Sequence, residues 1–209
     1  MEDLYIIGAG SVGGHLAINL NQYSSDYNLC GFFDDSYKKI GEYYCGIPVL
    51  GSISELNNLE EVSLFLSIAL PKVKKKIYEQ LKIKSRFSWP SFVHKKTWVS
   101  NEVEIGSGSI IYPGTTINYG SSLGGFAVVN MNCSLGHHTF VGNFASLAPG
   151  VNTGGHTTIE DCVEMGIGSS TVQDVVIGEN SVIGGAAMVT KSIPANSLAV
   201  GVPARNIRK

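Results

Sequence analysis

Counted in sixes from Val93, one position of this chain is almost always aliphatic, from Val93, Val99, Ile105, Ile111 and Ile117 through Leu135, Val141 and Leu147 to Ile177, Ile183 and Val189. Only Thr153 and Thr171 depart from the rule. Four residues after each comes a small or β-branched side chain, such as Ser109, Thr115, Ser121, Ala127, Cys133, Thr139 and Ala145. A fixed period fixes architecture before any single residue is considered. Six residues are too few for a helical hairpin and suit one short strand plus one turn, with the aliphatic residue inward and the small one at the bend. Gly106, Gly124, Gly136, Gly142, Gly154, Gly166, Gly178 and Gly184 are expected at turns that need φ > 0, which glycine adopts without steric cost. Three strand-turn edges close a triangular coil of eighteen residues, and coils stack at the strand spacing of roughly 4.8 Å. No coil buries its own interior, so the solenoid is stable only as a stack.

This pattern resembles the hexapeptide-repeat family. The resemblance implies a left-handed parallel β-helix, a handedness opposite to the usual crossover rule.

The residues before the repeat read differently. Leu4–Ile7 is a short strand candidate followed by Gly8-Ala9-Gly10-Ser11-Val12-Gly13-Gly14 and then by Val12, Leu16, Ala17 and Leu20 at helical spacing. Leu29–Phe33 reads as a second strand ending at Asp34-Asp35, Val62–Ile68 as a third, and residues 72–82 as a helix with Val73, Ile77 and Leu81 on one face and a solvated lysine run. Strand, glycine-rich turn, helix, strand and acidic pair make a Rossmann-like βαβ unit. The glycines let a helix N-terminus approach a phosphate closely. The unit is too short for a full dinucleotide fold, so a nucleotide-sugar fits better than NAD. Gly8, Gly10, Ser11 and Gly13 are then expected near the phosphates, and Asp34 or Asp35 on the base or ribose; a plain strand-ending turn is the alternative for the acidic pair. The fold class expected is an α/β Rossmann-like domain over residues 1–86, then a left-handed parallel β-helix over residues 87–209 with a C-terminal cap. Trp89-Pro90 favours extended chain at the junction. His94 and Trp98 are read as packing residues.

Bulk properties exclude several classes. A net charge of −2 offers no electrostatic attraction to nucleic acid or an anionic membrane. No apolar run approaches the ~20 residues that span a bilayer, and the N-terminus lacks the basic region of a signal peptide. Cys30, Cys45, Cys133 and Cys162 show no metal-ligand spacing and read as reduced thiols of a cytoplasmic protein.

A triangular prism has no cleft, so chemistry is expected where prisms meet, in an oligomer. The segment Asn130 to His138 carries the candidate: His137 follows the inward Leu135 by two and should face outward on a turn. Gly155 lies eighteen residues further, stacked one coil along at roughly 4.8 Å.

The short Rossmann-like unit, the solenoid, Asn130-x5-Gly136-His137 and the closing Gly201-Val202-Pro203-Ala204-Arg205 resemble the PglD/NeuD group of sugar acetyltransferases. The resemblance covers the whole chain. It implies His137 as catalytic base, Asn130 lining the sugar site, the Gly155 N–H on the thioester oxygen, acetyl-CoA as co-substrate in a groove between subunits of a homotrimer, and no metal. His156, Lys191, Pro203 and Arg205 are candidate cofactor contacts, with filling a turn as the alternative for His156 and capping as the alternative for the C-terminal segment. PglD-like members acetylate the 4-amino group of a nucleotide-linked (UDP or dTDP) dideoxysugar in cell-surface polysaccharide synthesis; NeuD-like members O-acetylate sialic-acid-type sugars. A non-catalytic nucleotide-sugar-binding assembly subunit is a further reading. A carbonic-anhydrase-like metalloenzyme shares the solenoid and needs three His, and the nucleotide domain argues against it. Two departures stand out. Most relatives carry an acidic residue after the catalytic His, where this chain has His138; either another group orients His137, or the pair is altered, or His138 is the base. Many relatives also have His where this chain has Val12.

Overall fold

The computed structural model describes residues 1–36, 38–82 and 87–207. The chain divides into two compact units, Met1–Pro90 and Ser91–Lys209.

The first unit opens with β1 (Glu2–Ile7), α1 (Ser11–Tyr23) and β2 (Tyr27–Phe33). A hairpin follows, β3 (Tyr43–Tyr44) and β4 (Ile47–Gly51), then β5 (Val62–Leu66), α2 (Pro71–Leu81) and β6 (Phe87–Ser88). Sheet order is β3-β4-β2-β1-β5-β6, parallel except where β3 meets β4. β1 lies at the centre with Leu4, Ile6 and Ile7 wholly buried, which is why it is a run of apolar residues rather than an alternation. At Gly13 an added Cβ would lie 2.5 Å from the Gly8 carbonyl oxygen and 2.7 Å from Ser67 Oγ, so only glycine lets α1 pack this closely on β1.

The first unit extends to Pro90, with Phe87–Ser88 paired to Val62–Ser63 as an edge strand. In the hairpin at residues 43–51, Cys45-Gly46, both with positive φ, turn the chain before Ile47-Pro48-Val49. The lysine run of α2 is not wholly solvated: Lys74 is buried, and Val73, placed on the apolar face, is exposed.

In the second unit, two-residue strands pair in parallel with partners eighteen residues away: Ile110 with Val128, Thr116 with Ser134, Ser122 with Phe140. The three series are the three walls of the solenoid. Ile111, Ile117, Val129, Val141, Leu147, Ile159 and Ile183 point inward with no exposure, each contributing about 1.5–3 kcal/mol by burial. Most hydroxyls at the small positions are buried and satisfied along the stack, Ser109 donating to Gly124 O at 3.0 Å and Thr115 to Asn130 O at 2.8 Å, while Ser169 Oγ is buried without a partner among the described residues. The register shortens to sixteen at the C-terminal end, where Ile193 pairs with Ile177 and Leu198 with Val182.

The glycines after the inward residues do not serve the purpose expected of them. Positive φ falls two residues later, at Gly108, Gly114, Gly120, Phe126, Asn132, His138, Phe144, His156 and their hexad equivalents. Gly136 and Gly142 instead mark close coil-to-coil contact, where a Cβ would meet Gly155 N at 2.8 Å and Asp161 N at 2.6 Å respectively. Among the described residues no helix is long and apolar enough to cross a membrane.

Candidate active site

The strand Ser134–Leu135 ends at a corner formed by Gly136, His137, His138 and Thr139. Leu135 points inward, so the next two residues must turn outward, and His138 takes the left-handed conformation at φ 56°. His137 is half-buried and His138 exposed. The coils on either side present Tyr119-Gly120 and Gly155-His156 at the same corner. Backbone bonds fix this stacking: His138 N–H donates to Tyr119 O and His156 N–H to His137 O, both at 2.9 Å.

Four rings cluster there. Tyr119 stacks on His137 with centroids 5.7 Å apart, and His156 stacks on His138 at 4.7 Å and 9°. His137 stands nearly perpendicular to both imidazoles, and its Nδ1 lies 3.1 Å from His138 Nδ1. The Cε1–Nε2 edge of His137 overlies Gly155, where an added Cβ would sit 2.5 Å from Cε1 and 2.6 Å from Nε2. The Gly155 N–H makes no hydrogen bond among the described residues, as is also true of the equivalent corner amides of His137, Asp161 and Gly185, while those of Gly125 and Asn143 are capped by Asn143 Oδ1 and Asp161 Oδ1 at 2.9 and 2.7 Å. An imidazole ring and an amide without a partner among the described residues therefore lie in adjoining layers of one corner.

The ligand atoms of His137, His138 and His156 all lie within 4.8 Å of one another. As placed, they do not fit a metal ion. The lone pair of an imidazole nitrogen lies in its ring plane, and the near-parallel planes of His138 and His156 share no nearby point.

Thr153 and Thr171, the two inward positions that broke the aliphatic rule, lie directly behind this corner. Gly136 N–H donates to Thr153 Oγ1 at 3.0 Å and Gly154 N–H to Thr171 Oγ1 at 3.1 Å. Their hydroxyls also pair with those of Thr139 and Thr157 at 3.0 and 2.9 Å. The sequence signal was present, but its meaning depended on knowing which corner those hexads support.

The other candidates are scattered. Asn130 opens the preceding corner, at the far end of the Ser134–Leu135 strand, and its Oδ1 accepts the Met131 N–H at 2.8 Å; a single chain does not bring it to His137. Lys191 follows Val189 as His137 follows Leu135, placing it on the His137 edge three coils along, roughly 14 Å away at the strand spacing. Pro203 sits in a tight loop after a cis peptide bond, and Arg205 pairs with Val200 on another wall.

In the first unit, Gly8 takes φ 100° and Gly10 caps α1 with open space around it; Ser11 is exposed. Asp34 is engaged within the chain, at the glycine-rich turn. Its Oδ2 accepts the Ala9 N–H at 2.8 Å and pairs with Lys39 Nζ at 2.9 Å, while Oδ1 accepts the Ser36 N–H at 2.8 Å. Lys39 also donates to Ala9 O at 2.9 Å. Together the two residues latch the glycine-rich turn, a pairing no sequence signal disclosed. Asp35 is turned the other way and accepts the Ile53 N–H at 2.9 Å.

Burial alone would raise the Asp34 carboxyl, but the Lys39 bond and the Ser36 and Ala9 amides outweigh it and hold the group below the usual carboxylate range. A depressed carboxyl stabilises the fold above its unfolded value of about 3.9, and that stability is lost as pH falls through the folded value. Asp34→Asn is thus expected to melt earlier than the parent at neutral pH, with the gap closing below about pH 4. Thermal melts across that range check it.

Residues 3–81 match the family described as the PglD N-terminal domain. The acetyltransferase domain of PglB from Neisseria gonorrhoeae, solved with acetyl coenzyme A, aligns with 99% of this chain and 99% of its own length at 26% identity and TM-score 0.88. PerB from Caulobacter crescentus, solved with CoA and GDP-perosamine, aligns with 99% of this chain and 97% of its own at 25% identity and TM-score 0.70. A Schizosaccharomyces pombe protein described as an acetyltransferase is 56% identical over 50 residues, 24% of this chain. The chain's matches span only 24% and 21% of the two curated relatives, the second being a protein of Acanthamoeba polyphaga mimivirus.

Proposed function

We propose that this chain, a hexapeptide-repeat acyltransferase fold carrying a PglD N-terminal domain, moves the acetyl group of acetyl-CoA onto the 4-amino group of a nucleotide-linked 4-amino-4,6-dideoxyhexose. The single observation that carries the reading is the His137 imidazole overlying Gly155, whose amide has no partner among the described residues. That is the pair acyl transfer to an amine requires.

The amine nitrogen attacks the thioester carbonyl carbon, and His137 Nε2 accepts the proton that the nitrogen sheds. The Gly155 N–H donates to the oxyanion as the tetrahedral centre forms. Collapse breaks the carbon–sulfur bond, and protonated His137 returns its proton to the CoA thiolate, leaving amide and free thiol. Positioning of amine and thioester supplies much of the remaining acceleration.

Lys191, on the same edge, is suited to an anionic group at the distal end of CoA. The glycine-rich turn, latched by Asp34 and Lys39, is assigned to the diphosphate of the sugar nucleotide. His137 stands on a convex edge, so the remaining walls of the site are assigned to a neighbouring copy, in a homotrimer, with Asn130 contributed at such a junction. The relatives solved with acetyl-CoA, and with CoA and GDP-perosamine, support the co-substrate and the acceptor class.

The test is thiol release from acetyl-CoA across UDP-, dTDP- and GDP-linked 4-amino sugars, with mass analysis of the sugar product. We expect release with at least one acceptor and a gain of one acetyl group on nitrogen. Acetylation confined to a sugar hydroxyl would move the assignment to O-acetyl transfer. Ligand binding without any thiol release would make the chain a binding subunit.

A further inference from the structure

We propose that His138 is a positioning residue that selects the His137 tautomer, its neutral Nδ1 accepting the proton on His137 Nδ1 so that His137 Nε2 is left as the free base. The inference rests on the assignment of His137 as base.

The argument starts from the 3.1 Å separation of the two Nδ1 atoms. Two imidazole nitrogens at that distance bond only when one of them carries a hydrogen and the other does not. Two tautomeric arrangements satisfy this, and they have opposite consequences. With the hydrogen on His138 Nδ1, His137 must accept at Nδ1, and as a neutral ring it then carries its own hydrogen on Nε2. The edge over Gly155 would be a donor and could take no proton from an amine. With the hydrogen on His137 Nδ1, Nε2 keeps its in-plane lone pair free to accept the amine proton, while the ring face rests over Gly155. Only the second arrangement is productive.

The surroundings hold His138 for this task. Its ring is stacked at 4.7 Å on His156, lies 5.1 Å edge-on to Tyr119, and rests over Gly120, where a Cβ would come within 2.6 Å of Cδ2. Any side chain at position 120 would displace it. Tyr119 and His156 are the titratable groups facing the pair from adjoining coils. Asp174 lies one coil beyond His156, its N–H on Gly155 O at 3.0 Å. When His137 takes up the substrate proton, the Nδ1–H to Nδ1 bond becomes charge-assisted and shorter, so the orienting contact strengthens as the reaction proceeds. A second proton, on His138, abolishes the acceptor and inverts the arrangement. Loss of activity on the acid side of the rate profile should therefore depend on both rings.

Two measurements test this. Nitrogen-15 spectra of the histidine-labelled full chain, assigned with the His137→Ala and His138→Asn variants, report the tautomers directly and need no substrate. We expect His137 protonated at Nδ1 and His138 at Nε2; the reverse pattern overturns the proposal. In kinetics, His138→Ala should lower kcat roughly 10- to 100-fold, the usual cost of losing an orienting partner, with KM for acetyl-CoA unchanged. His138→Asn supplies an acceptor oxygen, tolerates the left-handed backbone at this position and does not titrate. It should recover kcat to within a few-fold of the parent while the acid limb of kcat/KM loses one of its two ionisations. Equal impairment of both variants, with His137→Ala inactive, removes the role given to His138 and leaves the base assignment intact. Turnover surviving in His137→Ala removes the base assignment and this inference with it.

Discussion

Replacing His137 with alanine should lower kcat for acetyl transfer by about 10²- to 10⁴-fold, the usual contribution of a positioned general base. KM for acetyl-CoA should change little, since the imidazole acts on the amine proton rather than on the pantetheine chain. The fold should survive, because His137 is a half-buried corner residue and its backbone carbonyl still receives the His156 N–H. The measurement is a thiol-release assay with far-ultraviolet circular dichroism and a melting curve as controls. A folded variant with parental turnover would mean that another group takes the proton.

The second large effect is expected at Gly155. Alanine there places a Cβ 2.5 Å from His137 Cε1 and 2.6 Å from Nε2, well inside van der Waals contact. Gly155 lies outside the left-handed region, so the backbone itself accepts alanine and the conflict falls on the imidazole alone. A side chain at an exposed corner yields by swinging away more readily than a packed coil opens. The base would leave its place and a methyl group would occupy the approach to the amide donor. Loss of one such donor typically costs about 10²–10³ in kcat, and displacement of the base adds to it. Gly125→Ala is the matched control at an equivalent corner, where the nearest atom to the new Cβ is Ser107 O at 3.2 Å. Gly155→Ala should be nearly inactive with an almost unchanged melting temperature, and Gly125→Ala should be active. Parental turnover in Gly155→Ala would show that neither the amide nor the ring position matters to the reaction.

The solenoid and the pairing of His137 with Gly155 were legible from spacing. Every sixth residue points inward, and an eighteen-residue coil sets each residue on the one eighteen later, as Ile110 on Val128 and Thr116 on Ser134. The glycines show where the reading stopped. Gly136 and Gly142 were expected to supply positive φ, yet they are there because the next coil passes too close for a Cβ, while histidine and phenylalanine hold the left-handed corners. Composition alone does not separate these two demands on glycine. Phe87–Ser88 illustrate a second limit: two residues are too few to signal a strand, and they became one because β5 offered an unpaired edge.

What the sequence by itself determined is whatever repeats, since a periodic pattern constrains the backbone one residue after another and errors do not accumulate over so many coils. The walls, the inward core, the corner that carries His137 and the layer that carries Gly155 all follow from counting. Only the tertiary structure decided the side-chain partnerships: Asp34 drawn onto Ala9 and Lys39, the threonine hydroxyls behind the corner, and His138 brought to His137 between Tyr119 and His156. Each depends on rotamers and on distances of a few tenths of an ångström between residues that share no pattern, and hydrogen bonds form or fail on that scale.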